Sequence, residues 1–354
     1  MYKRIYTYNF RNLQNGSFNT HNQHIIFTGS NGQGKTNLLE AIYYFSLASS
    51  FRERHDVNLV KLGSENKEFA TAGYYGDNEE KLLVSWQQGR KQIKINDSPI
   101  TDRKELLTRF PCLVFAYDDI RLAELEQEQR RRFIDQNLSF IYEGYIGLLR
   151  EHKKLIKAKN LALKVADTAL VKVYNQQLAG YCEEITTTRL GFLENFNQKL
   201  QLLLTDIFEE PVTIKLESPF SGLKANEIEV YLNSKLDSEL KRATALYGTH
   251  RDKYIFTGTY GEVAGFYSTG QKRALSVVLK IASTSLISAT LPVKPVMLID
   301  DVFLELDAKL KELMINLMPA YNQAFFTFLP GQNHFSKLTN ALVYEVKKGE
   351  LYVQ

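Results

Sequence analysis

A chain of 354 residues can bury a full core and leaves room for a second lobe. With 44% hydrophobic residues it is globular rather than wholly disordered, and a formal net charge of +4 allows a nucleic-acid partner without demanding one. Its two cysteines, Cys112 and Cys182, lie far apart without a CxxC spacing, which argues against a zinc or disulfide framework and fits a reducing cytoplasm.

In chain order, the opening MYKRIYTYNF breaks up its apolar residues with polar ones, so it does not read as a signal peptide. No later run is long and apolar enough to span a bilayer, and the expectation is a soluble, cytoplasmic protein. Up to about Phe110, short β-rich runs alternate with polar turns. Ile25-Ile26-Phe27 is expected as a buried strand running into a glycine-rich loop, after which Leu38, Leu39, Ala41, Ile42 and Phe45 recur at helical spacing. Lys81–Gln87 and Lys91–Asn96 read as a hairpin around Gln88-Gly89-Arg90. Trp86 and the other isolated aromatics read as packed core rather than base-stacking platforms.

The middle is helical. From Arg130 to about Lys164, Ile134, Leu138, Ile141, Tyr145, Leu148 and Leu155 recur in steps of four and three, predicting one helix with one apolar stripe. A second stripe runs through Leu178, Tyr181, Ile185, Phe192, Phe196, Leu200, Leu203 and Ile207, with a turn at Val165–Ala169, so the two read as an antiparallel hairpin. From about Pro211 the sequence returns to β-rich runs, then a helix at Lys272–Ser288 and an apolar strand at Pro295–Ile299. The expected fold class is α/β: a head made of 1–110 and 211–354, with 111–210 inserted as a helical second lobe.

The chemistry lies in three motifs. Gly29-Ser30-Asn31-Gly32-Gln33-Gly34-Lys35-Thr36 fits G-x-x-x-x-G-K-[ST], the Walker A phosphate loop, between a strand and a helix. Glycines let backbone N–H groups turn toward phosphate oxygens at a helix N-terminus. Lys35 would neutralise the β- and γ-phosphates of ATP, and the Thr36 hydroxyl would ligate Mg2+. Asp300 and Asp301 end the strand at Pro295–Ile299, the place of a Walker B acid: Asp300 would hold the metal and Asp301 would orient or activate the attacking water. Between these, Ser268-Thr269-Gly270-Gln271-Lys272-Arg273 looks like the S-x-G-Q-x-R signature of ABC ATPases, where one subunit closes over the γ-phosphate held by another. The same hexapeptide is also an ordinary helix start.

Taken together, the run Asn31 to Ile42 (with Asn37 beside the loop), Ser50-Phe51-Arg52, Arg130-Arg131-Arg132-Phe133-Ile134-Asp135, His250-Arg251-Asp252 and Asp300-Asp301-Val302-Phe303-Leu304-Glu305-Leu306-Asp307 resemble the RecF family, in that family's order, from about Phe10 to Thr327. The sequence departs from the family at Thr249 and Lys253, at Val114–Asp119, and near Phe326-Thr327-Phe328. The resemblance implies an ABC-type ATPase head, an ATP-dependent homodimer with Ser268, Gly270, Gln271 and Arg273 acting in trans and Asp307 in a D-loop, duplex DNA near single-strand gaps as ligand, recombination mediators as partners, and no membrane role. Read from residues alone, Arg130, Arg131 and Arg132, with Lys153, Lys154, Lys157 and Lys159, could meet DNA phosphates or could form a solvated helix face, the arginines pairing with Glu124, Glu126 or Glu128. An ATPase subunit of a membrane permease and a phosphoryl transferase remain alternatives.

Overall fold

The computed structural model describes the chain except residues 206–210, 305 and 332–339, and gives only the backbone of Lys104, Leu304 and Lys309. It divides into two compact units, 1–120 with 288–354, and 121–287.

The first unit holds two six-stranded sheets. One is antiparallel: β1 (Tyr2–Tyr8), β2 (Gly16–Asn19), β4 (Glu68–Tyr75), β5 (Glu80–Gln87), β6 (Arg90–Ile95) and β7 (Ser98–Ile100), in the order β2-β1-β4-β5-β6-β7. The other contains β3 (His24–Thr28), β8 (Cys112–Phe115), β12 (Val296–Ile299), β13 (Gln323–Phe328), β14 (Ala341–Lys347) and β15 (Glu350–Val353), in the order β15-β14-β3-β13-β12-β8, parallel throughout except for β15. Every residue of β3, β12 and β13 is buried, as expected of parallel strands covered on both faces. Helix α1 (Lys35–Leu47) packs on β4 and β5 of one sheet and on β8 and β13 of the other. It is therefore buried nearly all round, which the apolar spacing alone did not convey. Phe45 meets Tyr2, and Tyr44 meets Phe10 and Phe69, through ring edges and tilted rings. Trp86 stacks on Phe69 and is buried, as core. Helices α2 (Lys104–Arg109) and α10 (Ala308–Leu317) complete this unit.

The second unit is led by α3 (Gln127–Ile141), α4 (Tyr145–Lys164) and α5 (Thr168–Leu204). The single helix expected over 130–164 is two: Gly144 takes a left-handed φ of 87° and ends the run. The apolar steps cross this break without losing phase, so periodicity could not reveal it. The expected turn narrows to Val165–Asp167, with Ala166 left-handed and the Asp167 carboxylate capping α5 by accepting from the Leu170 N–H at 3.0 Å. Helices α4 and α5 pack against each other as the expected hairpin, with α6 (Ala225–Ser234) and α7 (Leu236–Arg242) against them. Ile207 of the second stripe lies outside the described residues.

The segment 211–287, expected in the head, groups with the helices. The reason is packing: β9 (Thr213–Glu217) lies on α5 and pairs with β10 (Lys253–Gly258), which pairs with β11 (Gly261–Glu262) and packs on α3. Phe220, Ile228 and Leu232 fill a core with Leu178, Ala179 and Cys182 of α5. Short helix α8 (Val263–Phe266) leads into α9 (Thr269–Thr290), near whose end the division falls. Two buried ionic clusters hold this unit. Arg189 grips Asp135 at 2.8 Å, Asp252 at 2.7 Å and the Thr249 carbonyl at 2.8 Å, and Lys159 meets Glu239 at 2.7 Å with both side chains fully buried.

Candidate functional site

The phosphate-loop residues connect β3 to α1. Gly32 has φ 77° and Gly34 φ 113°, and a side chain on Gly34 would sit 2.9 Å from Asn12 Oδ1, so both glycines are required by the backbone. Lys35 opens α1 with its ammonium turned into the loop, donating to the carbonyls of Gly29 (2.8 Å) and Ser30 (3.2 Å). The Thr36 hydroxyl donates to Asp300 Oδ1 at 2.9 Å.

The acids arrive through sheet order. Strands β3, β13 and β12 are parallel neighbours, so their carboxyl ends emerge at one edge, where α/β sheets bind ligands. Asp300 follows β12, is 6% exposed, and is pushed above the usual carboxylate range chiefly by burial, with Thr36 and Thr327 opposing and Asp301 reinforcing. Asp301 takes a left-handed φ of 50°, which an aspartate tolerates better than most residues. Its N–H donates to Thr327 Oγ1 at 2.8 Å, and that hydroxyl lies 3.0 Å from Asp300 Oδ1 and 3.1 Å from Asp301 Oδ1, within donating distance of either. Thr327, noted in the sequence only as a departure from the family's threonine run, thus holds the acid pair in place.

The set fits a nucleotide carrying a hard divalent cation. A hydroxyl and a buried carboxylate 2.9 Å apart are oxygen ligands of the right kind, and a cation bound there would offset the burial of Asp300.

Other candidates are engaged differently. The side chain of Gln33 accepts from the Lys348 N–H at 2.7 Å, tying the loop to the β14–β15 turn. Asn37 donates to Asn12 Oδ1 at 2.6 Å, and Asn12 donates to the Gly32 carbonyl at 3.2 Å. A cluster that sequence reasoning did not assemble adjoins these: Glu40, fully buried on α1, accepts from Arg11 at 2.9 and 3.0 Å, from Arg52 at 2.6 Å and from Ser50 at 2.6 Å, while Arg52 also donates to Asn37. Burial is the largest single influence on the Glu40 carboxyl and pushes it up, but Arg11, Arg52 and Ser50 together outweigh it and hold the carboxyl below the usual range. Its signal was a lone glutamate among apolar helix positions.

In the second unit, Ser268 and Gln271 cap α9 reciprocally: the Ser268 N–H donates to Gln271 Oε1 at 2.9 Å and the Gln271 N–H to Ser268 Oγ at 3.3 Å. Ser268, Gly270 and Gln271 are exposed and Arg273 half-buried. Asp307 caps α10, accepting from the Leu310 N–H at 2.8 Å. The arginine cluster disperses. Arg130 is buried, donating to the carbonyls of Leu125 and Tyr254 (both 2.7 Å) above the Phe256 ring, and so is removed from any phosphate surface. Arg131 donates to the Asp252 carbonyl at 2.8 Å, and Arg132 pairs with Glu128, one of the alternatives read from sequence. Lys159 is likewise withdrawn by Glu239, whereas Lys153, Lys154 and Lys157 are exposed. Among the described residues no helix is long and apolar enough to cross a membrane.

The RecF/RecN/SMC N terminal domain family matches residues 1–348. The DNA replication and repair protein RecF of Treponema pallidum is 31% identical over 330 residues, covering 92% of this chain and 93% of that protein. Its Staphylococcus epidermidis counterpart is 29% identical over 361 residues, covering 97% of both. A solved structure of the recombination mediator protein RecF with ATP in the RecFOR pathway superposes with a TM-score of 0.88 at 27% identity, covering 100% of this chain and 99% of that one.

Proposed function

This chain belongs to the RecF family, and we propose that it serves DNA replication and repair as an ATP-operated switch on DNA. The observation that carries the reading is the convergence of Lys35, Thr36, Asp300, Asp301 and Thr327 at the carboxyl edge of one parallel sheet. The likeness to a RecF–ATP structure supports ATP as the nucleotide and weighs against the permease and phosphoryl-transferase alternatives.

In this reading the loop amides and the α1 N-terminus bind the phosphates, and Lys35 exchanges its two loop carbonyls for phosphate oxygens. Thr36 and Asp300 would hold magnesium, which supplies charge neutralisation when bound. Asp301, positioned by Thr327, orients the attacking water. The exposed α9 N-terminus, with Ser268 and the Gly270 amide, serves the γ-phosphate of a second subunit, Asp307 lies in the loop that crosses the dimer, and two such composite sites suit an isologous pair. The ligand is duplex DNA near single-strand gaps, bound mainly through phosphates, with Arg131, Arg132 and the α4 lysines as the remaining candidate contacts, and the mediators of the same pathway are the protein partners.

ATP turnover measured with and without duplex DNA tests this. Turnover that rises with DNA and vanishes in Lys35→Ala, with the fold retained, is the expected result. Normal turnover in that variant would overturn the site, and indifference to DNA would overturn the switch.

A further inference from the structure

The antiparallel sheet of the first unit has two unlike faces. The inner one carries Phe69 and Trp86 against the core. Strand register fixes the outer one: Tyr8, Ala70, Ser85 and Gln92 stand abreast across β1, β4, β5 and β6, and Tyr6, Ala72, Leu83 and Lys94 form the next row. Tyr74, paired with Arg4 and Lys81, begins a third.

This face is aromatic where a solvated face would be polar. Tyr8 is 44% exposed, and Tyr6 and Tyr74 are half-buried with rings meeting edge-on at 5.9 Å. The small Ala70 beside Tyr8 leaves a trough of about 570 Å³ that reaches Ser85, Gln92 and Arg90. Cations flank the rings: Arg90 and Lys94 have no carboxylate partner among the described residues. Asp97 is paired with Lys81 at 3.0 Å, whereas Glu68, at the rim of the trough, accepts from the neutral Gln87 amide at 2.6 Å and keeps its charge.

Flat rings bordered by unpaired cations suit a ligand with flat apolar units on an anionic thread. Tyr6 and Tyr8, two residues apart on β1, lie roughly 6.7 Å apart along the strand. That is about twice the 3.4 Å repeat of stacked nucleotides, so an extended, unstacked strand matches and a duplex, its bases turned inward, does not. We propose that the outer face of this sheet binds single-stranded nucleic acid without sequence preference, bases on Tyr6, Tyr8 and Tyr74 and phosphates on Arg90 and Lys94. It extends the DNA-binding part of the function proposed above and rests on it, but uses no residue of the nucleotide site.

Trp86, the only tryptophan, is buried on the inner face, so binding is read instead by the fluorescence anisotropy of labelled oligonucleotides. The full chain is titrated with an oligothymidylate of roughly 16 nucleotides and with a duplex of equal length. The anisotropy of the single strand should rise saturably. Tyr8→Ala and Tyr74→Ala should each weaken binding by about 5- to 150-fold, with Tyr8→Phe and Tyr74→Phe close to the parent chain. Arg90→Gln with Lys94→Gln should flatten the log–log salt slope by about 1.4. Thermal melts identify any variant that fails to fold, and the phenylalanine variants then decide. Single-strand anisotropy that does not rise, or alanine variants that bind normally, would each overturn the proposal. Because ATP turnover and duplex binding are followed in parallel, failure of this face is distinguished from failure of the repair reading.

Discussion

Replacing Thr327 by valine keeps shape and volume while deleting the one hydroxyl that joins the two site aspartates. In the native site that hydroxyl accepts from the Asp301 N–H at 2.8 Å and lies within 3.1 Å of a carboxylate oxygen on each acid. Thr327 is buried, so water does not replace it. Hydrogen bonds to charged groups contribute about 1.5–3 kcal/mol, and the deserted Asp301 N–H adds a penalty of its own. If the hydroxyl acts by holding Asp301 against the attacking water, roughly 1.4–2.8 kcal/mol should appear in the barrier, a 10- to 100-fold fall in kcat. The KM for ATP should stay within about threefold, because Lys35 and the loop amides that bind phosphate are untouched. Thr327→Ser should restore most of the loss. Single-turnover phosphate release in the three chains is the assay. Wild-type turnover in Thr327→Val, or a loss carried wholly by ATP affinity, would refute the assignment of Thr327 as a positioning residue.

Two further expectations concern the second unit. Arg189→Met leaves Asp252, whose side chain is fully buried, without its cation. A destabilisation of about 3–5 kcal/mol should appear in the urea midpoint, and near-native stability would show that the cluster is not what fixes the 249–252 turn to α3 and α5. Burial pushes His152 down to about 3 and His250 to about 4, from an ordinary 6.5. Both are neutral in the fold and protonated more readily once unfolded, so their contribution is complete above pH 6.5 and is lost as pH falls toward 4 and 3. The slope for each rises from half of about 1.4 kcal/mol per pH unit at pH 6.5 to nearly all of it at pH 5. Wild type should therefore lose roughly 3 kcal/mol more than His152→Gln/His250→Gln over that range. Equal losses in the two chains would contradict it.

What was legible in the sequence was what is contiguous. The phosphate loop and the Asp300-Asp301 pair are short runs whose strand and helix context sits within a few residues, and the structure places those elements as the sequence implied. Thr327 stands 26 residues from Asp301, Glu40 stands 29 from Arg11, and Arg189 stands 54 and 63 from Asp135 and Asp252, so only strand order and helix packing bring them together. Arg130 shows the reverse error. Three consecutive arginines read as a surface charge, yet one turn of α3 points its first member inward to the Tyr254 carbonyl and leaves Arg132 outside with Glu128. The break at Gly144 escaped because a helix can stop and restart in phase, and the head boundary near 211 shifted because β9 finds its partners in β10 and α5.

In the switch proposed above, ATP joins two copies of this chain. Ser268 and Gly270 are exposed, Ser268 and Gln271 cap α9 reciprocally, and Lys35 is turned back on its loop. Analytical ultracentrifugation of Asp301→Asn, which should retain bound ATP, measured with ATP and magnesium, with ADP and without nucleotide, asks this directly. A dimer is expected with ATP alone, abolished by Ser268→Arg while ATP binding to the monomer persists. A sedimentation coefficient indifferent to nucleotide, at concentrations well above the ATP affinity, would contradict it.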